Sequence, residues 1–223
     1  MKESDIRNKQ ALDNYLSAVT KDIEKVFNFE DFLPACCPAC GFKEANFEFE
    51  KMKFKYVSCL NCNTLFVSPR PSFEDFKKFY ANSESTEVWI KEFFKPVEES
   101  RRKNIFKPRA QYVSNLLKNY KDVLVGDVGS GFGLFLEELR KLNPEYKYVA
   151  IEPSWEMAQI CRKKNFKTEC LCLEEMEKGD NKFDFLNAFE LLEHLYNPLE
   201  FLKSASSLLK NEGRLLLTTL NGQ

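Results

Sequence analysis

Val123-Leu-Val-Gly-Asp127-Val-Gly129-Ser-Gly131-Phe-Gly133, followed at once by Leu134-Phe-Leu-Glu-Glu-Leu139, decides the fold. An apolar, β-branched run enters a glycine-rich turn and leaves it as an amphipathic helix. Glycines let the backbone turn sharply and let a ligand come close to it. The helix start behind them presents free N–H groups. A second predicted strand, Tyr146-Lys-Tyr-Val-Ala-Ile151, ends in Glu152, about 20 residues past the glycines. An acidic side chain there can accept hydrogen bonds from both ribose hydroxyls of an adenosine ligand. Strand, turn, helix and acid agree, which a strand-to-helix turn without a ligand does not require.

The spacing Asp-x-Gly-x-Gly-x-Gly differs from the G-x-G-x-x-G of dinucleotide enzymes. It resembles the first motif of class I S-adenosylmethionine (SAM)-dependent methyltransferases. Phe183-Asp-Phe-Leu-Asn-Ala-Phe-Glu190-Leu-Leu-Glu193-His194-Leu-Tyr-Asn-Pro198 resembles that family's fourth strand and the loop after it. Leu208-Leu-Lys-Asn-Glu-Gly213-Arg-Leu-Leu-Leu-Thr-Thr-Leu220-Asn-Gly222 resembles the turn and fifth strand that follow. The resemblance runs from residue 105 or so to the end of the sequence.

This resemblance implies an α/β fold with a Rossmann-like parallel sheet. The family's seven strands lie in the order 3-2-1-4-5-7-6, and this sequence reaches the fifth, so the sixth and seventh are expected to be absent. The fifth strand would then form an open edge with Leu215 and Leu217 exposed. A fragment, a shortened protein and a chain completed by another subunit all fit that expectation. The resemblance also places the cofactor. Its amino-acid part would lie on Gly129, Ser130, Gly131 and Gly133, with Asp127 near the ammonium and Glu152 on the ribose. Its adenine would sit between Pro153-Ser154-Trp155 and Leu171-Cys172-Leu173-Glu174. Residues 127–133, 152 and 173 should line one pocket, and Glu190 is expected among the cofactor-binding residues.

Five of the eight cysteines cluster early, as Cys36-Cys37-Pro-Ala-Cys40-Gly41 and Cys59-Leu-Asn-Cys62-Asn63. Cys37 with Cys40, and Cys59 with Cys62, make two C-x-x-C knuckles at an interval that suits a zinc ribbon. Four thiolates close a tetrahedral shell, so the zinc would be structural. Cys36 could replace Cys37, but the knuckle spacing favours Cys37. Cys161, Cys170 and Cys172 read as small buried hydrophobes.

Four segments follow: an N-terminal helix over 1–33, a zinc ribbon over 34–68, a helical connector over 69–120 and the SAM-binding core over 121–223. In the first, Leu12, Leu16, Val19, Ile23 and Val26 form an apolar stripe. It is expected to dock on the chain's own body, with a dimer contact there or at the open sheet edge as the alternative. Between the knuckles, the alternation in Phe47–Val57 predicts strands with one face packed on the ribbon. Aromatics beside lysines there could also stack on nucleic acid. In the connector, Ser72 is a plausible N-cap, and Pro96 and Pro108 break the helical region. Phe73, Phe76, Phe79 and Tyr80, then Trp89, Ile90, Phe93 and Phe94, form aromatic stripes expected to pack the core rather than a substrate pocket. Arg70, Arg101, Arg102 and Arg109 are candidates to meet a phosphate or carboxylate, with solvated surface positions the commoner outcome.

At 43% hydrophobic residues and a formal charge of −1, the sequence can bury a core and implies no broad basic surface. That argues against a nucleic-acid partner. No apolar run is long enough to span a bilayer, and Met1-Lys-Glu-Ser-Asp lacks the start of a signal peptide. A cytoplasmic protein is expected.

Glu190, Glu193 and His194 fall at i, i+3 and i+4, and on a helical turn they would share one face. Three roles are open to the trio: His194 as a general base oriented by a carboxylate, all three as ligands of a divalent cation, or a cap on the turn. Some ubiquinone-pathway O-methyltransferases and small-RNA 2′-O-methyltransferases have a similar Glu-x-x-Glu-His motif and use it with a metal. The RNA enzymes add a distant second histidine, which this chain lacks. The order of ribbon, proline–arginine exit, aromatic connector and SAM fold resembles zinc-ribbon sugar C-methyltransferases. That resemblance implies a small-molecule acceptor such as a sugar nucleotide or polysaccharide precursor. The alternatives are a non-catalytic SAM-binding interaction module and an RNA methyltransferase.

Overall fold

The computed structural model describes residues 9–177 and 182–220, apart from the side chains of Ala81, Asn82 and Phe93. The N-terminal pentapeptide, Gly222 and the Phe93 side chain, all used in the sequence reading, lie outside the described residues. Helix α1 (Lys9–Val26) leads to a three-stranded antiparallel sheet of β1 (Ala45–Lys51), β2 (Phe54–Cys59) and β3 (Leu65–Val67). The connector holds α2 (Phe73–Asn82), α3 (Glu84–Val88) and α4 (Glu98–Arg101). The wider-wound turns Trp89–Phe94 and Arg102–Phe106 flank α4. Ser72 does cap α2, its hydroxyl accepting the Asp75 N–H. Pro108 does not break a helix. It sits in the first turn of α5 (Lys107–Leu117), where a missing N–H costs nothing.

The core follows as β4 (Leu124–Val128), α6 (Leu134–Leu142), β5 (Lys147–Ile151), α7 (Trp155–Lys163), β6 (Lys167–Glu169), β7 (Phe183–Phe189), α8 (Pro198–Leu208) and β8 (Leu209–Thr218). All pairings in this sheet are parallel, in the order β6-β5-β4-β7-β8. The chain order reverses direction between β4 and β7, which opens a crevice at the strands' carboxyl ends. Period-two alternation sorts the core into two faces. Val125, Tyr148, Ala150 and Phe185 pack with residues of α5, α6 and α7. Val149, Ile151, Leu186 and Ala188 pack with Phe201, Ala205 and Leu208 of α8.

Two expectations need correction. Leu215 and Leu217 on the β8 edge are half-buried against the α8-side cluster rather than exposed, because the parallel sheet is covered on that face too. On the ribbon, β1 is almost wholly exposed, with Phe47 62% and Phe49 44% accessible. A register shift lies between Phe47 and Phe49, and it is β2 that turns Val57 and Cys59 into the ribbon's core. Helix α1 lies against α3, where buried Asp22 accepts the backbone N–H groups of Glu84 and Ser85. Among the described residues no helix is long and apolar enough to cross a membrane.

Candidate functional site

The four knuckle cysteines come together. Their Sγ atoms all lie within 4.8 Å of one another, with Cys37–Cys62 at 3.6 Å and Cys40–Cys59 at 3.5 Å. Zinc–thiolate bonds of ~2.3 Å in a tetrahedron set sulfurs ~3.8 Å apart, so the donor set fits such an ion. Each knuckle closes through the same bond, Gly41 N–H to the Cys37 carbonyl and Asn63 N–H to the Cys59 carbonyl, both at 2.9 Å. Gly41 and Asn63 occupy the left-handed region at φ 75° and 59°, which Gly and Asn reach most easily. The Thr64 hydroxyl and N–H hold the Cys62 thiol down, to about 6. Cys36 is exposed and outside the cluster.

The glycine-rich turn follows β4 with Gly129, Gly131 and Gly133 all left-handed, at φ 69°, 53° and 68°. A Cβ on Gly131 would meet no atom within 4 Å, so its outer face opens onto free space. The turn is tied down by Glu152, which is buried. One carboxylate oxygen accepts the Gly131 N–H at 2.7 Å and the other the Ser154 N–H at 2.9 Å. Ser154 in turn caps α7 through Met157 N–H. Burial raises the Glu152 carboxyl, and these two N–H groups oppose the rise. Asp127 is buried at the end of β4 and accepts a hydrogen bond from the Asn187 amide on the paired strand β7. Burial pushes Asp127 up to about 7, with the Glu152 charge adding and Asn187 and Arg109 opposing. The Asn187 carbonyl oxygen is buried without a partner.

Beside the turn lies a cavity of about 320 Å³. Gly129, Pro153 and Leu173 line it, as expected, but Asp127, Ser130, Gly131, Gly133, Glu152 and Glu190 do not. Glu152 is buried as the turn's support, Asp127 is buried against the Asn187 amide, and the Ser130 hydroxyl lies 3.7 Å from Cys161 Sγ. Phe73, Phe76 and Tyr80 of α2 form the opposite wall. The aromatic stripe is therefore divided: only Phe79 turns inward, onto Phe27 at 5.4 Å. Trp89, Ile90 and Phe94 do pack a cluster, around Phe132. Cys170 and Cys172 also line the cavity and are half-buried, unlike Cys161, which is buried as expected. Lys77 on α2 closes the rim through Glu175 at 2.5 Å.

Glu190, Glu193 and His194 do not converge on one point. Residues Leu192–His194 form a tight three-residue turn, and Glu190 precedes it with left-handed backbone at φ 52°. Glu190 pairs with Arg109, Glu193 accepts the Thr219 hydroxyl at 2.9 Å, and His194 Nδ1 lies 3.4 Å from the Tyr80 hydroxyl. Among the described residues the cysteine cluster alone gathers three or more such ligands. Of the arginines, Arg102 meets Glu98, Glu99, Glu137 and Glu138, and Arg109 meets Glu190, so both find carboxylates of this chain. Arg70 meets Tyr196, and Arg101 lies over Phe94.

The sequence reading missed Asn187 and Tyr196. Asn187 carried a usable signal, an amide within an otherwise apolar buried strand. Tyr196 carried none, because its role depends on where the connector docks.

Residues 98–223 match the family described as methyltransferase domain. A ubiquinone biosynthesis O-methyltransferase of Xanthomonas euvesicatoria pv. vesicatoria (strain 85-10) is 30% identical over 120 residues, covering 51% of this chain and 49% of that protein. One of Coxiella burnetii (strain Dugway 5J108-111) is 27% identical over 139 residues, covering 58% and 57%. The chain spans about half the length of the curated relatives it matches. Among solved structures, the plantazolicin methyltransferase BpumL in complex with a pentazolic desmethylPZN analog and SAH is 23% identical. It covers 56% of this chain and 51% of that one, with a TM-score of 0.48.

Proposed function

This chain belongs to the methyltransferase domain family, and on that premise we propose that it transfers a methyl group from SAM to a small-molecule acceptor. The observation that carries the reading is Gly131: left-handed, tied through its N–H to Glu152, and facing open space where a ligand can reach the backbone. When bound, SAM supplies a methyl group already activated as a sulfonium. The chain's own work is to hold and align. The glycine turn would carry the amino-acid part, with Asp127 beneath it facing a cation. Glu152 uses one lone pair on each oxygen for backbone N–H groups, and a carboxylate has about four sites, so two remain for ribose hydroxyls. Pro153 and Leu173 would flank the adenine. His194, at the cavity rim, would accept the acceptor's proton. The four cysteines would hold a structural zinc.

The walls of Phe73, Phe76, Tyr80, Leu191, Leu195 and Tyr196 support an acceptor with an apolar ring. The relatives' name supports oxygen as its methylated atom. The sugar-nucleotide acceptor expected from the segment order finds no support in either. Calorimetric titration of the zinc-loaded chain with SAM and S-adenosylhomocysteine tests the reading, followed by transfer of labelled methyl to phenolic acceptors. Gly131→Val should abolish the binding heat in a folded protein. Wild-type chain that binds neither compound overturns the proposal. Binding with no transfer to any acceptor favours the interaction-module alternative.

A further inference from the structure

Tyr80 belongs to the connector, outside the matched residues 98–223, yet its hydroxyl lies 3.4 Å from His194 Nδ1. Both residues line the cavity that Gly129 and Leu191 also line. The Tyr80 ring is set by Phe76 at 4.8 Å and Phe79 at 5.6 Å. Its helix is held on both sides of the cavity, by Lys77 on Glu175 at 2.5 Å and by Phe73 and Phe76 on Tyr196 at 5.2 and 5.4 Å. The His194 backbone N–H is fixed on the Leu191 carbonyl at 2.9 Å. The carboxylates nearest in sequence are engaged elsewhere, Glu190 by Arg109 and Glu193 by Thr219. Tyr80 is thus the side chain that meets Nδ1.

We propose that Tyr80 is the positioning residue for His194: its oxygen accepts Nδ1–H and so presents an unprotonated Nε2 to the cavity. In a neutral imidazole one nitrogen carries the proton and the other accepts, and the bond made at one decides the role of the other. The proposal rests on the reading of His194 as the base in methyl transfer. In that step the acceptor atom bonds to the methyl carbon, and the carbon–sulfur bond breaks with its electron pair staying on sulfur. The acceptor's proton passes to Nε2. The positive charge leaves the sulfonium and ends on the imidazolium, so no further reactant is needed. A phenol oxygen orients the ring without the added negative charge of a carboxylate partner. On this account the connector contributes to the chemistry as well as to the wall.

The chain has a single histidine, so a long-range proton–nitrogen spectrum of tag-free, zinc-loaded protein shows one imidazole. His194→Gln should remove that signal and so assign it. The expected wild-type pattern is the Nδ1–H tautomer. Tyr80→Phe keeps the ring packing and should move the imidazole toward the Nε2–H tautomer that an unconstrained side chain prefers. A wild-type Nε2–H pattern overturns the proposal, and so does a Tyr80→Phe spectrum identical to wild type in a protein of unchanged melting temperature. No cofactor or acceptor is present in this experiment. Its failure is therefore distinct from a failure to bind SAM.

Discussion

Arg70 sits over the ring of Tyr196, 3.9 Å from its centroid, and donates from Nη1 to the Tyr196 backbone carbonyl at 2.5 Å. Tyr196 answers by donating its hydroxyl to the Pro71 carbonyl at 3.2 Å. The Arg70 backbone also pairs with Leu33, ahead of the ribbon, at 2.9 and 3.0 Å. One residue therefore joins the lead-in to the ribbon, the start of the connector and the loop after β7. This junction sets where α2 lies, and α2 is a wall of the cavity.

Arg70→Ala should loosen that junction by about 1–3 kcal/mol, from a cation–π contact and a charge-assisted hydrogen bond. Arg70→Lys should recover little, because an ammonium cannot stack and fork as a guanidinium does. Urea unfolding followed by tryptophan fluorescence measures the loss. Wild-type stability in Arg70→Ala would show that the ribbon and core are held together by other contacts.

The cysteine cluster predicts one tightly held metal ion per chain. Protein purified without chelator should contain one equivalent of zinc. Cobalt exchange should give the absorption of a tetrahedral four-thiolate site. Chelation should unfold the ribbon, since few buried residues besides Cys37, Val57, Cys59 and Phe66 hold it. Cys40→Ser should lose the ion, whereas Cys36→Ser should keep it, because Cys36 stands outside the cluster. Metal-free protein with an unchanged fold would exclude a structural metal.

Legibility in the sequence followed the range of the interactions. The strand–turn–helix around Gly129–Gly133 and the two knuckles are local, and their residues dictate them through backbone freedom and ligand spacing. The order of the parallel sheet came from a family resemblance and matches the pairing observed. The aromatic stripe on α2 was misread because periodicity reports that a face is apolar, not what it faces. Phe73, Phe76 and Tyr80 face a cavity because Arg70 and Lys77 anchor the connector on Tyr196 and Glu175, residues more than a hundred positions away or nearly so. The Glu-x-x-Glu-His trio was read on α-helical spacing. Its tight turn and the left-handed Glu190 send the three side chains to separate partners.

Glu152, expected on the ribose, stands where it can serve two roles, holding a ribose and supporting the start of α7 at Ser154. The geometry joins the two roles, because its oxygens bind Ser154 N–H and Gly131 N–H at once. Glu152→Ala should therefore lower both the melting temperature of the ligand-free chain and the affinity for SAM. Each hydrogen bond to a charged acceptor contributes about 1.5–3 kcal/mol, and 1.4 kcal/mol is a tenfold change in affinity. A roughly ten- to hundredfold weaker binding is expected. A lower melting temperature with unchanged affinity would leave Glu152 as a support alone.

Asp127 gives the chain a pH dependence of unusual sign. Its carboxyl is pushed up to about 7 by burial, against about 3.9 in an unfolded chain. Between these values the folded state holds a proton that the unfolded state has released. The contribution to stability is thus full below pH ~4 and is lost as the pH rises through about 7. The raised Glu152 carboxyl adds a contribution of the same sign. Asp127→Asn removes the group's titration. Its melting temperature should therefore gain on wild type as the pH is raised from 4 to 8 in the ligand-free protein. The same substitution should weaken SAM binding, because the carboxylate that would face the ammonium is gone. Wild-type affinity should rise as Asp127 ionises through about 7, with proton release that scales with the buffer's ionisation heat in calorimetry. A buried group kept near neutrality costs stability in the free protein and gains a partner when a cation arrives. Melting curves of wild type and Asp127→Asn that run parallel from pH 4 to 8 would show that Asp127 is ionised throughout. The pH dependence argued for stability and for SAM affinity would then lose its physical basis, while an ionised Asp127 could still face the ammonium.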